Sequence, residues 1–187
     1  WAGGWQWQKL VPRLAEAGHR VYAPTLTGLG ERKHLEVPGG IRLATHIEDV
    51  ANTILYEDLT GVTLVGFSYG GMVATGIADR LSERVRNLVY LDAFVPRDGQ
   101  SLFDMFGPEI TRRLTSIARS FSRDAKVPYF ESDDERLEDQ PILTGRENLF
   151  FDEARIEALD PVYIECTGKP PEWTFTPILR GIAREAE

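Results

Sequence analysis

Cys166 is the only cysteine in the 187 residues, so no disulfide can form within the chain. Nothing points to an oxidising compartment, and a reducing, cytoplasmic setting is the expectation. Long apolar runs are missing as well: no stretch approaches the roughly 18 consecutive residues that a membrane span needs. An excess of positive charge is missing too: 21 Lys and Arg face 29 Asp and Glu, for a formal net charge of −8. A nucleic-acid partner would want a basic face, so that class is excluded; the acidity serves solubility. Neither disorder nor a repeat array fits the composition. Histidine occurs only three times, which limits the supply of a catalytic base.

What is present suits one folded domain with a sizeable core: 42% apolar and 27% charged residues. Helices and strands alternate, the pattern of a mostly parallel sheet covered on both faces. Leu10, Val11 and Leu14 predict a helix from Trp7 to Ala17, with Pro12 in its first turn or at a kink. Arg20 to Ala23 reads as a short strand and 25–40 as a long loop. Thr45 is placed to cap a helix whose buried stripe is Ile47, Val50, Ala51, Ile54 and Leu55. Short apolar strands are expected at Val62–Val65, Leu88–Leu91 and Val162–Cys166. An amphipathic helix carrying Met72, Val73, Ile77, Ala78 and Leu81 lies between the first two.

The rhythm breaks between Arg97 and Asp160, where charge is dense and no strand stands out. This segment reads as a mainly helical lid, and residues 172–187 as a last helix. A disordered linker is the alternative, and Phe121, Tyr129, Phe130, Phe150 and Phe151 count against it. The expected division is 1–96 core, 97–160 lid and 161–187 return to the core.

Chemistry concentrates in Gly66-Phe67-Ser68-Tyr69-Gly70. Gly-x-Ser-x-Gly alone is weak, since average usage gives roughly 0.06 chance occurrences in a chain this long. Its setting strengthens it: the apolar strand Thr63-Leu64-Val65 precedes, and Gly71-Met72-Val73-Ala74 opens a helix. A strand that reverses sharply into a helix holds the serine strained and exposed at the sheet edge. Ser68 is therefore the candidate nucleophile, and the Tyr69 backbone N–H one of two oxyanion donors. Side chains at Gly66 and Gly70 are expected to collide across the turn. The bland alternative is a serine capping a helix in a Rossmann-like sheet.

A serine nucleophile needs a base and an orienting carboxylate. His19 starts a strand at the wrong edge of the sheet. His46 sits in a first helical turn as a surface or packing residue, and His34 lies in a loop that could approach the site. None suits the base. Asp92 is the candidate acid, because it ends the strand after the nucleophile helix. Its alternative role is to satisfy backbone N–H groups before Pro96, and Glu165 is the second candidate. Ser132-Asp133-Asp134-Glu135 lacks metal-ligand spacing, and Gly28 with Gly30 makes no dinucleotide fingerprint. Cys166 reads as a core residue of its strand.

Trp1-Ala2-Gly3-Gly4-Trp5-Gln6-Trp7, Ala17 to Pro24, Thr25 to Arg32, Gly66 to Met72 and Tyr90 to Pro96 together carry a resemblance. The chain resembles the α/β-hydrolase branch that holds small bacterial carboxylesterases, plant methyl-ester esterases and hydroxynitrile lyases. Beyond residue 100 only Tyr163-Ile164-Glu165-Cys166-Thr167 is similar. The resemblance implies an α/β-hydrolase fold and a serine hydrolase that cleaves small carboxylic esters through an acyl-enzyme, with no cofactor or metal. It places a His-Gly pair with the second oxyanion donor upstream of Trp1, and the catalytic histidine beyond Glu187. A chain cut at both ends, inactive alone, is thus expected. Phe67 departs from the family's common histidine. Gly168 and Lys169 stand where plant relatives carry an acid, and some α/β hydrolases instead use the position of Asp92. Trp5, Trp7 and the lid aromatics supply either an ester pocket or core packing. Two rivals stay open: a lyase cleaving a cyanohydrin, and a binding protein that kept the fold.

Overall fold

The computed structural model describes residues 1–121, 126–127 and 134–168. A 3-10 turn at Gly4–Trp7 leads into α1 (Val11–Glu16), a second 3-10 turn at Gly30–Arg32 and α2 (Leu43–Tyr56). Next come β1 (Val62–Phe67), α3 (Gly70–Arg80), β2 (Val85–Leu91) and α4 (Leu102–Phe121). Then β3 (Lys126–Val127), β4 (Gln140–Pro141), α5 (Ile142–Arg146), α6 (Glu153–Glu157) and β5 (Val162–Ile164) follow.

β1, β2 and β5 lie side by side in that order, all parallel. Leu64 pairs with Leu88, Phe67 with Leu91, and Leu91 in turn with Ile164. Helices flank this sheet and a helical insertion consistent with a lid follows β2, which is the α/β-hydrolase fold. The centre is α3, in which every residue from Gly71 to Ala78 is buried. Burying side chains such as Met72, Ile77 and Leu88 is worth about 1.5–3 kcal/mol each. Gly76 lets α2 come close, because a Cβ there would strike the Ile47 side chain. Inside this layer Thr75 Oγ1 donates to the Gly71 carbonyl at 2.9 Å and accepts from Tyr90 Oη at 2.7 Å. Burial pushes the Tyr90 phenol up to about 12.

The helical insertion joins the same core: Leu102, Phe103, Phe106, Leu114 and Val127 belong to one apolar cluster with Met72, Tyr90 and Phe94. Phe94 and Phe106 meet edge to face at 5.2 Å. Gly107, at φ 76°, breaks α4 into two helical pieces just before Pro108. Hydrogen bonds, an ion pair and a cation–π contact complete the attachment. The Trp1 indole donates to the Val127 carbonyl at 2.9 Å, and Glu138 N–H donates to the Trp1 carbonyl at 2.8 Å. Lys33 pairs with Glu138 at 2.9 Å, and Arg136 lies 4.0 Å above the Trp5 ring.

Several local expectations need correction. Arg20–Ala23 forms no strand: no ladder partner lies beside it among the described residues, and a strand exists only as a ladder. The expected first helix divides into the 3-10 turn and α1, with Pro12 in the first turn of α1, where its missing N–H costs nothing. Thr45 is not the N-cap residue of α2 but the reciprocal member of its capping box. It is the third helical residue, and its hydroxyl accepts from the N–H of the true N-cap, Arg42. Leu55 lies outside the buried stripe. The helix α3 is buried all round rather than amphipathic, as small residues let neighbours approach from every side. A two-residue ladder, Lys126–Val127 with Gln140–Pro141, crosses the segment in which no strand was expected. β2 starts at Val85, and β5 ends at Ile164, which leaves Cys166 an exposed free thiol instead of a core residue. The expected helix at 172–187, with Tyr129, Phe130, Ser132 and Asp133, lies outside the described residues.

Candidate active site

β1 ends at Phe67 and α3 begins at Gly70, so Ser68 and Tyr69 make the whole turn. Ser68 adopts φ +51°, a left-handed conformation that costs a serine about 1–3 kcal/mol. Its carbonyl holds it there, accepting from Gly71 N–H at 3.1 Å and from Phe94 N–H at 3.0 Å. The peptide is trans, so the Tyr69 N–H points opposite to that anchored carbonyl. Two glycines make the turn possible. A Cβ on Gly66 would stand 2.6 Å from the Gly70 carbonyl oxygen, and one on Gly71 would be driven into the Phe94 carbonyl. Gly70 is different: a Cβ there meets nothing within 4 Å, so the collision expected at Gly70 belongs to Gly71.

Asp92 mirrors Ser68. Because Phe67 pairs with Leu91, the two residues leave adjacent parallel strands at the same level. Asp92 is likewise left-handed, at φ +47°, and it is 1% exposed. Its N–H donates to the Ile164 carbonyl at 2.7 Å, and its Oδ1 accepts from Cys166 N–H at 3.4 Å. Both sit at the carboxyl edge of the sheet, where α/β folds gather their sites. Glu165 lies one residue beyond β5 and is exposed.

The histidines go elsewhere. His19 and His34 are exposed, and no hydrogen bond joins His19, His34 or His46 to Ser68 among the described residues. His46 is wholly buried. Its Nε2 lies 2.9 Å from the Thr27 carbonyl oxygen, which can only accept, so Nε2 carries the proton. Nδ1 therefore accepts from Tyr69 Oη at 3.0 Å. Burial lowers the imidazole to about 4 and raises the Tyr69 phenol well above its ordinary value. Position 46 falls three residues after Leu43 and four before Val50, on the apolar stripe of α2, and that periodicity carries the signal for its burial.

Trp7 packs edge-on against Phe67 at 6.4 Å, next to the Ser68 turn. A depression of about 370 Å³ runs along α4 between Thr111 and Ser120. A second cavity, about 20 Å³, lies between the lid and Trp1, lined by Phe103, Phe106 and Thr144. Neither is lined by Ser68 or Asp92. No group of three His, Cys, Asp or Glu side chains among the described residues could hold a metal ion. No helix there is long and apolar enough to cross a membrane.

Comparison with known proteins places this geometry in context. A profile of the alpha/beta hydrolase family matches residues 1–184. A carbendazim-hydrolysing esterase of Nocardioides sp. is 54% identical over 102 residues, which make up 54% of this chain and 42% of that protein. An alpha-hydroxynitrile lyase of Arabidopsis thaliana is 35% identical over 100 residues, 50% of this chain and 36% of the lyase. The chain thus spans less than half the length of either relative. An extracellular alpha/beta-hydrolase from a Paenibacillus species, described as homologous to tobacco salicylic acid binding protein 2, superposes with a TM-score of 0.79. That match covers 97% of this chain and 81% of the other at 22% identity, and it speaks for the fold.

Proposed function

As the chain belongs to the alpha/beta hydrolase family, we propose that the complete protein carrying it is a serine esterase acting on small carboxylic esters. The observation that carries this reading is the pairing of Ser68 and Asp92, left-handed and level at the ends of adjacent strands. In the proposed reaction Ser68 Oγ attacks the ester carbonyl while a histidine from outside the described residues takes its proton. Tyr69 N–H, with a second donor, holds the oxyanion. The histidine returns the proton to the departing alcohol, which leaves an acyl group on Ser68. Water, deprotonated by the same histidine, then releases the acid. Asp92 orients that histidine, and its deep burial suits a carboxylate held in one place. Neither a cofactor nor a metal takes part. The lone exposed thiol, Cys166, suits a reducing, cytoplasmic setting.

Carbendazim, named for the 54% identical relative, is the first substrate to assay, beside p-nitrophenyl butyrate. A cyanohydrin-cleaving lyase is the second reading, supported by the 35% identical lyase. Acetone cyanohydrin given to the same complete protein separates the two. Ester hydrolysis that disappears in Ser68→Ala supports the esterase. Cyanide release without ester turnover supports the lyase. Tight binding of an ester without turnover, unchanged in Ser68→Ala, would overturn both.

A further inference from the structure

We infer that His46 is a positioning residue, which acts through the Tyr69 phenol to aim the backbone N–H beside Ser68. This rests on the esterase reading above, because that N–H matters only if an oxyanion forms there.

The peptide between Ser68 and Tyr69 must be held from both sides. On one side the Ser68 carbonyl accepts two hydrogen bonds, from Gly71 and Phe94. On the other side the restraint is the Tyr69 side chain, whose Oη donates to His46 Nδ1 at 3.0 Å while the rings meet edge to face at 5.7 Å. The Thr144 side chain is a second hydrogen-bond partner of the same phenol. His46 is itself fixed. Its Nε2–H is committed to the Thr27 carbonyl, and Thr27 is clamped by Asp49 through its N–H at 2.7 Å and its hydroxyl at 2.8 Å. Arg32 completes the clamp, 2.8 Å from Asp49. A line of contacts thus runs from the 25–32 loop through α2 to the residue after Ser68.

The chemistry gives this line a purpose. An oxyanion donor works only when it is fixed to within about 0.5 Å of its productive position. A left-handed serine stays put only where its surroundings over-determine it. A buried histidine whose acceptor nitrogen faces a tyrosine hydroxyl supplies a restraint that an apolar side chain at position 69 would lack. Burial also keeps the imidazole neutral, so Nδ1 remains an acceptor throughout the neutral range.

The test compares Tyr69→Phe, His46→Gln, the double variant and Ser68→Ala in the complete protein. Ester turnover is read together with inhibition by a trifluoromethyl ketone, whose adduct places an oxyanion at this site. In Tyr69→Phe kcat should fall about tenfold, short of the roughly 10²–10³ lost with a whole donor. KM should stay within about twofold, and ketone affinity should weaken by the same factor as kcat. The double variant should lose no more than either single one, as expected of residues acting in one line. Tyr69→Phe removes one oxygen and keeps the ring, so wild-type behaviour there overturns the role even where His46→Gln folds poorly. A matching loss in His46→Gln assigns the effect to His46 rather than to Thr144, the other partner of the phenol. If Ser68→Ala abolishes turnover while Tyr69→Phe keeps wild-type kcat and ketone affinity, the positioning role falls and the esterase reading stands. A fall in kcat without the matching loss of ketone affinity also overturns the positioning role. If Ser68→Ala keeps its ester turnover, both readings fall.

Discussion

The turn at Ser68 and the helical insertion after β2 share one apolar core, yet they are held by different means. Around Ser68 the backbone itself supplies restraints: the β1–β2 ladder, two hydrogen bonds to a single carbonyl, and glycines admitting close approach. The hydrogen bond from Tyr69 to His46 adds a side-chain one. In the helical insertion, side-chain ties reaching across the chain take part beside backbone bonds: Trp1 to Val127, Lys33 to Glu138 and Arg136 over Trp5. Backbone restraints tolerate little substitution, because no rotamer can relieve a clash with a carbonyl. Side-chain ties are individually weak and replaceable.

The largest expected effect lies within the turn. Ser68→Ala in the complete protein should cost at least about 10⁴-fold in kcat for ester hydrolysis, since a missing nucleophile cannot be replaced. A smaller loss in steady-state assays would put the chemistry elsewhere.

The next effect is on stability and reads the buried imidazole behind the turn. His46 is held near 4, chiefly by burial, against about 6.5 for an unfolded histidine. Between those values the unfolded chain binds more protons, so stability rises with pH through this window. The contribution is fully present above about pH 6.5 and is lost as the pH falls toward 4. Its size is on the order of 3 kcal/mol. Urea titrations at pH 7 and 4.5 should show this dependence in the wild type and a flatter one in His46→Gln. An equal slope in both would refute it.

Adjacent glycines offer a sharper contrast. Gly71→Ala should destabilise by about 2–3 kcal/mol, as overpacking against backbone does. Gly70→Ala should stay within about 0.5 kcal/mol, because that position is open. Chemical denaturation of the two variants side by side would expose a mistaken turn geometry if their order were reversed. The smallest effect belongs to the lid: Lys33→Ala should cost less than about 1 kcal/mol, and less still at high salt. A larger, salt-independent loss would mean that the lid is fixed as firmly as the turn.

This contrast also explains what was legible in the sequence. β1, α3 and β2 follow from local periodicity, and the Ser68 turn follows from glycines between a strand and a helix. The match of Ser68 with Asp92 could be anticipated once both were read as strand ends, since neighbouring parallel strands finish together. Arg20–Ala23 has the residues of a strand, but a strand depends on a neighbour that no local pattern names. Gly71 carries no local signal, because its partner, the Phe94 carbonyl, lies on another element. His46 was placed in the right helix, while the Tyr69 hydroxyl and Thr27 carbonyl that fix its tautomer are tertiary neighbours. In the lid the tethers join distant residues, so composition alone could suggest helices and aromatics without their contacts.

The central claim is that Ser68 carries the acyl group. The most direct measurement treats the complete protein with a fluorophosphonate and maps the modified residue by peptide mass spectrometry while following ester turnover. The account predicts one adduct, on Ser68, rising in step with the loss of activity. Turnover that persists with Ser68 fully modified, or inactivation with Ser68 untouched, would contradict it.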